Sequence, residues 1–349
     1  MPSMSMTSDR LSRREAFPSR LFTFRSGGWV LLAGFLFAGA GVWWNLRVLW
    51  DPERVPPRGD GRNAASYGFS LDQALVPAEE IVSSGMVVDG LRALVNPEVT
   101  SPAEVATFNE RERGKYLVSD DKVIGVVLGG EARAYPLRVM NWHEVANDVV
   151  GGIPIAVTYH PLSEGIAVFD RRVGDEVLEF GVSGLLHDSN LLMFDRRPGA
   201  SGESLWSQIQ ARAVSGPAAG RGARLEVLPV ALARWDDWVR DHPDTTVLAP
   251  IREELEFYTR DLYGKYWISD EIKYPVSPAV PEDSLSPKTR VFVDLEGPTP
   301  VVTPLASARD DRRLEQVGPF GTTPRRGIFA FWFAWYGGYG GHSAFSSNS

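Results

Sequence analysis

Three of the five histidines in this chain, His143, His160 and His187, fall within one stretch, Asn141 to Asp195. Neutral imidazoles favour Zn, Cu, Fe or Ni, and three convergent histidines form a catalytic ligand set that leaves one position open. Glu144 follows His143 directly and would serve such a centre as a general base or as a carboxylate behind a ligand. The candidate metal ligands are therefore His143, His160 and His187, the candidate catalytic group is Glu144, and the cofactor they imply is a transition metal bound by histidine. The competing reading gives each residue a plain role. His143 then satisfies a hydrogen bond beside the apolar stripe of a helix, His160 and His187 sit in turns, and Glu144 is solvated. The spacing is not diagnostic, because no H-E-x-x-H places two histidines on one helix face. G-x-S-x-G is also absent, since Gly181-Val182-Ser183-Gly184 breaks it, which argues against a hydrolase elbow.

Composition narrows the chemistry further. The chain has no cysteine, so disulfides, zinc–thiolate sites, cysteine-ligated clusters and thiol nucleophiles are excluded. A net charge of -8 argues against nucleic acid as a partner, because phosphate binding needs a basic surface. The glycine pairs Gly129-Gly130 and Gly151-Gly152 read as turns rather than as a phosphate loop. At 349 residues the chain can hold one large domain or two ordinary ones.

The elements that must position these residues begin after an unusual leader. Residues 1–28 are polar and arginine-rich, and the run from Trp29 to Trp44 carries no charge, with apolar length continuing around Arg47 to Trp50. Roughly 20 apolar residues cross a bilayer as a helix. Residues 29–50 are therefore expected to form a single membrane anchor, with residues 1–28 cytoplasmic and the remainder extracytoplasmic. The alternative is export after signal cleavage near Ala40, since Ala38-Gly39-Ala40 is an A-x-A-like site. Residues 51–66 read as a Pro/Gly/Arg linker, 67–336 as the extracytoplasmic domain, and 337–349 as a low-complexity, disordered tail.

Within the domain the pattern predicts an α+β fold, mainly antiparallel β meander and hairpins with a few short helices. Ser101-Pro102-Ala103-Glu104 is a capping box that starts a short helix. Lys122 to Leu128 and Glu131 to Tyr135 form a hairpin around Gly129-Gly130. Pro136 to about Asp148 reads as a helix ended by Gly151-Gly152. Strands are expected over Ile153 to Tyr159, Ile166 to Asp170, Glu176 to Val182, Leu191 to Asp195 and Leu225 to Val230, with His187 in the loop SGLLHDSN. Ala231 to Asp241 reads as a helix presenting Trp235 and Trp238, and Ile251 to Pro275 as an irregular, tyrosine-rich segment that either lines a groove or packs on a sheet edge. Val123 to Leu137 aligns without gaps on Val291 to Leu305, which suggests an internal repeat over 122–170 and 290–336 with Ile328 to Tyr336 as the second half's buried strand.

These motifs carry a resemblance. Ala134 to Leu137, Asn141 to Glu144, Asn147-Asp148, Gly151-Gly152, Phe169-Asp170, Gly181 to Leu186, Leu191 to Asp195, Ser204 to Gln208, His242-Pro243 and Phe331 to Tyr336, with Leu75 to Gly90 and Asn96-Pro97 upstream, resemble the bacterial DUF3179 family over about Gly68 to Tyr336. The resemblance implies no established activity. Family members commonly carry C-P-L-C where this chain has His160-Pro161-Leu162-Ser163. That motif implies a thiol redox pair or a metal site. Here the first position keeps a metal ligand, the second becomes a poor one, and thiol redox chemistry is impossible. Two functions follow as expectations: an enzyme-like site on His143 and His160 with Glu144, or a non-enzymatic envelope binding module whose site has decayed.

Overall fold

Strand Ile153–His160 buries both of its faces, and the reason lies in its period of two. Ile155, Val157 and Tyr159 enter one hydrophobic core, while Ala156 enters a second. The same alternation recurs in strand Asn190–Asp195, where Leu191 and Met193 join that second core and Leu192 and Phe194 enter a third. Two sheets therefore separate three apolar layers. The middle layer joins Phe169 of one sheet to Phe180 and Trp206 of the other, and contains Trp332 and Trp335 near the carboxyl end.

The structure is a computed structural model that describes residues 30, 33–39, 58–71, 74–111, 115–198, 202–307 and 321–339. The chain divides into two compact units, Met1–Pro56 and Pro57–Ser349. In the first, residues 33–39 are helical. The tail expected over 1–28, and most of the anchor expected over 29–50, lie outside the described residues. No helix among the described residues is long and apolar enough to cross a membrane.

In the second unit, residues 58–66, expected as linker, are folded. Asn63 caps the short helix Ala64–Tyr67, and Arg58 pairs with Glu203 at 2.6 Å. The larger sheet has twelve strands. Its main path runs Leu94–Val95, Val145–Val150, Ile153–His160, Gly165–Asp170, Gly321–Phe331, Pro229–Arg234, Lys122–Leu128, Glu131–Pro136, Thr246–Leu248 and Val99–Thr100, with Thr289–Asp294 and Val301–Ser307 branching from it. The smaller sheet has five strands, Val82–Ser83, Phe180–His187, Asn190–Asp195, Leu205–Ser207 and Arg212–Ser215. Pairing is antiparallel apart from Leu94–Val95 against Val145–Val150 and Thr246–Leu248 against Glu131–Pro136. The fold is thus mixed α/β, mostly strands in sheets with a few short helices. The two hairpins that align in sequence share a register, with Val123 opposite Pro136 and Val291 opposite Pro304.

Several local expectations change. The helix expected from Pro136 to Asp148 is only Leu137–His143. Glu144, at φ 56° and ψ −31°, ends it, and Val145–Val150 becomes a strand that pairs with Ile153–His160 around Gly151-Gly152. Both glycines have positive φ, so they make a hairpin turn where a helix stop was expected. The strand expected to end at Val182 continues to His187, through an irregularity between Val182 and Leu185 that accommodates Gly184 at φ 77°. His187 accordingly ends a strand, and only Asp188-Ser189 form the turn. The strand expected at Leu225 to Val230 lies at Pro229–Arg234, because Ala231 to Arg234 pair with Lys122 to Gly125. This leaves Trp235–Asp241 as the helix. Strand Gly321–Phe331 stops before Trp332, which begins the helix Trp332–Gly338 in place of the expected continuation to Tyr336. Gly337 and Gly338 belong to that helix, and Tyr339 stacks on Trp335 at 4.0 Å. The expected disordered tail from 340 onward lies outside the described residues.

Candidate functional site

The hairpin register creates the site. Val145 faces Thr158 across the ladder, and the pairing is carried one step further by Tyr159 N–H donating to Glu144 O at 2.8 Å. Glu144 is thereby set beside the end of its partner strand, where His160 lies. Glu144 Oε1 is 3.1 Å from His160 Nδ1, and both residues are buried. A carboxylate only accepts, so Nδ1 is the protonated nitrogen, and in the neutral ring the lone pair is then on Nε2. His160 Nε2 is itself buried and has no hydrogen-bond partner among the described residues.

His160 lines a cavity of about 260 Å³ together with Asn141, Trp142, Glu144, Leu185 and Tyr263, among others. Asn141 Oδ1 is a second buried acceptor without a partner among the described residues. Leaving a buried acceptor unpaired costs about 1–3 kcal/mol, so two such atoms on residues that line one cavity are a feature that folding alone does not favour. Tyr263 adds a donor. Burial, and then the charge of Glu144, push its phenol up to about 12, so it stays protonated at neutral pH.

The tyrosine-rich segment roofs this cavity and clamps the HPLS turn. Tyr266 Oη donates to Leu162 O at 2.9 Å, and Trp267 Nε1 donates to Pro161 O at 2.8 Å. From below, Asn190 Nδ2 donates to Ser163 Oγ at 2.8 Å, and Phe331 N–H donates to Ser163 O at 2.6 Å. Glu164 closes the turn against Tyr159 Oη at 2.9 Å and Arg290 Nε at 2.7 Å. Ser163 is therefore engaged in holding the turn, while His160 Nε2 is unpartnered among the described residues.

The three histidines do not gather. His143 turns away, with Nδ1 2.7 Å from Arg92 O and Nε2 3.0 Å from both Tyr258 Oη and Glu254 Oε2. Both ring nitrogens have partners, and burial holds its pKa below the ordinary histidine value. His187 lies beside Glu80 and Asp188. Among the described residues, Glu80, His187 and Asp188 are the only three His or carboxylate groups whose ligand atoms all lie within 4.8 Å of one another. No such set forms around His160 and Glu144, so the residues present there do not fit a three-ligand metal centre. Glu144 contacts a histidine, His160, and not the adjacent His143. Tyr263 is one of the tyrosines that the sequence marks as lining a groove or packing on a sheet edge, whereas Asn141 and Glu80 are not singled out individually. Asn141 and Tyr263 lay inside motifs already marked, NWHE and the tyrosine-rich segment, but Glu80 carried no local signal.

The DUF3179 family profile, described as a protein of unknown function, matches residues 89–318. The chain belongs to the DUF3179 family. The match contains Asn141, Glu144, His160, His187, Asp188 and Tyr263, and it leaves Glu80 and the helix Trp332–Gly338 outside. No curated protein and no solved structure matches the chain.

Proposed function

We propose that this DUF3179 protein is a membrane-anchored, extracytoplasmic acid–base site protein. It binds a small, largely apolar molecule through one hydrogen-bond donor and polarises that donor with His160. The observation that carries the reading is that His160, a lining residue of the cavity, has its Nδ1 held by Glu144 while its buried Nε2 has no partner among the described residues. In this reading His160 is the general base, Glu144 orients it and stabilises its protonated form, and Tyr263 supplies a donor to the bound molecule. Trp142 and Leu185 give the apolar wall. The arginine-rich residues 1–28 followed by the apolar run from Trp29 support the anchor and its orientation.

The second reading, a non-enzymatic envelope binding module, uses the same cavity. It is favoured by Ser163, which occupies a motif position but is held by Asn190. Phenol, an apolar ring with one O–H, separates the two when titrated into histidine-labelled protein followed by long-range proton–nitrogen spectra. The acid–base reading expects Nε2 of His160 to be unprotonated and to shift on phenol binding, with His160→Gln weakening binding at least tenfold. Binding that leaves the His160 signals unmoved would favour the module. A proton on Nε2 in the free protein would overturn the acid–base assignment.

A further inference from the structure

A second polar cluster lies away from that cavity, at the turn after strand Phe180–His187. One ring nitrogen of His187, one oxygen of Glu80 and one oxygen of Asp188 all lie within 4.8 Å of one another. His187 Nε2 is 3.4 Å from Glu80 Oε2, and His187 Nδ1 is 3.0 Å from Asp188 Oδ2. His187 and Asp188 are 6% and 3% exposed. Despite this proximity, His187 Nε2, Asp188 Oδ2 and the neighbouring Ser189 Oγ have no hydrogen-bond partner among the described residues. Asp188 is not simply misplaced, because its other oxygen accepts from Ser277 N–H at 2.9 Å. The arrangement fixes one oxygen to the backbone and leaves the second facing the imidazole.

From this geometry we propose that Glu80, His187 and Asp188 bind one divalent first-row transition cation of the Zn²⁺ class. Two carboxylates and a neutral imidazole match the charge of such an ion and leave at least one position open. The imidazole argues against Mg²⁺ and Ca²⁺, which take oxygen ligands. In a tetrahedral site with bonds of about 2 Å, neighbouring ligand atoms stand roughly 3.3 Å apart; Glu80 Oε2 is 3.4 Å from His187 Nε2 while Asp188 Oδ2 lies nearest Nδ1, so one ion would take one ring nitrogen and draw the second carboxylate in from within the 4.8 Å of the set. Glu80 and His187 also line a cavity of about 450 Å³, which gives the ion a route in and its open position an exit. The ion would staple the segment Ala78–Glu80 to the hairpin turn, and through Ser277 to the loop that follows the tyrosine-rich segment.

This site is independent of the His160 cavity, so the two stand or fall separately. The test uses the full chain purified without chelator, its metal content measured by mass spectrometry, and the stripped protein titrated with Zn²⁺ or Mn²⁺ by calorimetry. About one cation per chain is expected, with affinity at least tenfold weaker in Glu80→Gln and in Asp188→Asn and unchanged in Glu144→Gln. Glu80 is partly exposed, so its variant reports on the site even where Asp188→Asn fails to fold. A chain that neither retains nor binds either ion would overturn the proposal. So would binding that survives Glu80→Gln and is lost in Glu144→Gln.

Discussion

Glu144 reaches His160 Nδ1 at 3.1 Å from a backbone with φ 56° and ψ −31°. A non-glycine residue in such a sparsely populated region costs about 1–3 kcal/mol. The ladder on either side holds it there, through Glu144 N–H donating to Met140 O at 2.8 Å and Tyr159 N–H donating to Glu144 O at 2.8 Å. Strain of this kind at a carboxylate–imidazole contact is consistent with a position kept for its side chain.

Glu144→Gly removes that strain together with the carboxylate. The variant is expected to be as stable as the parent in urea unfolding, while His160 loses its fixed tautomer in proton–nitrogen spectra. Glu144→Gln should keep the strain and the shape, and leave His160 with either tautomer. If Glu144→Gly instead costs more than about 2 kcal/mol, the carboxylate serves the fold first, because loss of a cap or a buried network is then the operative mechanism.

A buried charge cluster carries a second expectation. Asp148 Oδ2 accepts from Arg133 Nη1 and from Tyr135 Oη, each at 2.7 Å, and Glu131 also pairs with Arg133. Asp148→Ala leaves Arg133 buried beside an unsatisfied phenol, and breaking one partner of such a pair costs roughly 3–5 kcal/mol. Asp148→Asn retains an acceptor for Tyr135 and should lose less. Urea midpoints of the two variants at neutral pH check the order. Equal losses would mean that the hydrogen bond, rather than the charge, is what the core requires.

Titration of His143 sets a pH dependence. Its folded pKa lies below the ordinary value of 6.5, first through burial. The unfolded chain therefore binds this proton at higher pH than the native one, and stability rises with pH wherever that holds. The contribution is fully present above 6.5 and is lost as pH falls toward the folded value. His143→Gln should flatten the slope of unfolding free energy in that window. An unchanged slope would assign the acid sensitivity to other groups.

The sequence signals that proved reliable are those whose physics is local. Ser101 Oγ accepts from Glu104 N–H at 3.3 Å and Ser101 N–H donates to Glu104 Oε2 at 2.9 Å, the reciprocal pair that the capping box implies. Gly129-Gly130 turns a hairpin for the same local reason. Gly151-Gly152 was ambiguous because a glycine pair ends a helix as readily as it turns a hairpin, and the strand pairing of Val145–Val150 decided between them. Ala231 to Arg234 look helical until the edge of Lys122–Leu128 recruits them. The candidate site was legible only as residue types. Glu144, His160 and Tyr263 are marked by type, but the pairing of Glu144 with His160 depends on a register between strands, and Glu80 beside His187 follows from no local pattern.

Gly125 shows how tightly that recruited pairing is packed. It faces Ala231 in the ladder, and its φ lies outside the left-handed region, so any L residue could adopt its backbone. A Cβ there would collide with the indole of Trp238, which is fully buried and donates from Nε1 to Thr245 Oγ1 at 2.9 Å. Gly125→Ala must therefore displace the indole, the helix Trp235–Asp241 or the strand, and overpacking of this kind costs about 1–3 kcal/mol. Gly130→Ala is the matched control. It has open space around the added carbon but φ 83°, so its cost is backbone strain alone. Both variants should lose stability, and only Gly125→Ala should alter the near-ultraviolet tryptophan signal. A changed signal in Gly130→Ala would show that the hairpin turn, and not the Trp238 contact, sets the register of this half of the sheet.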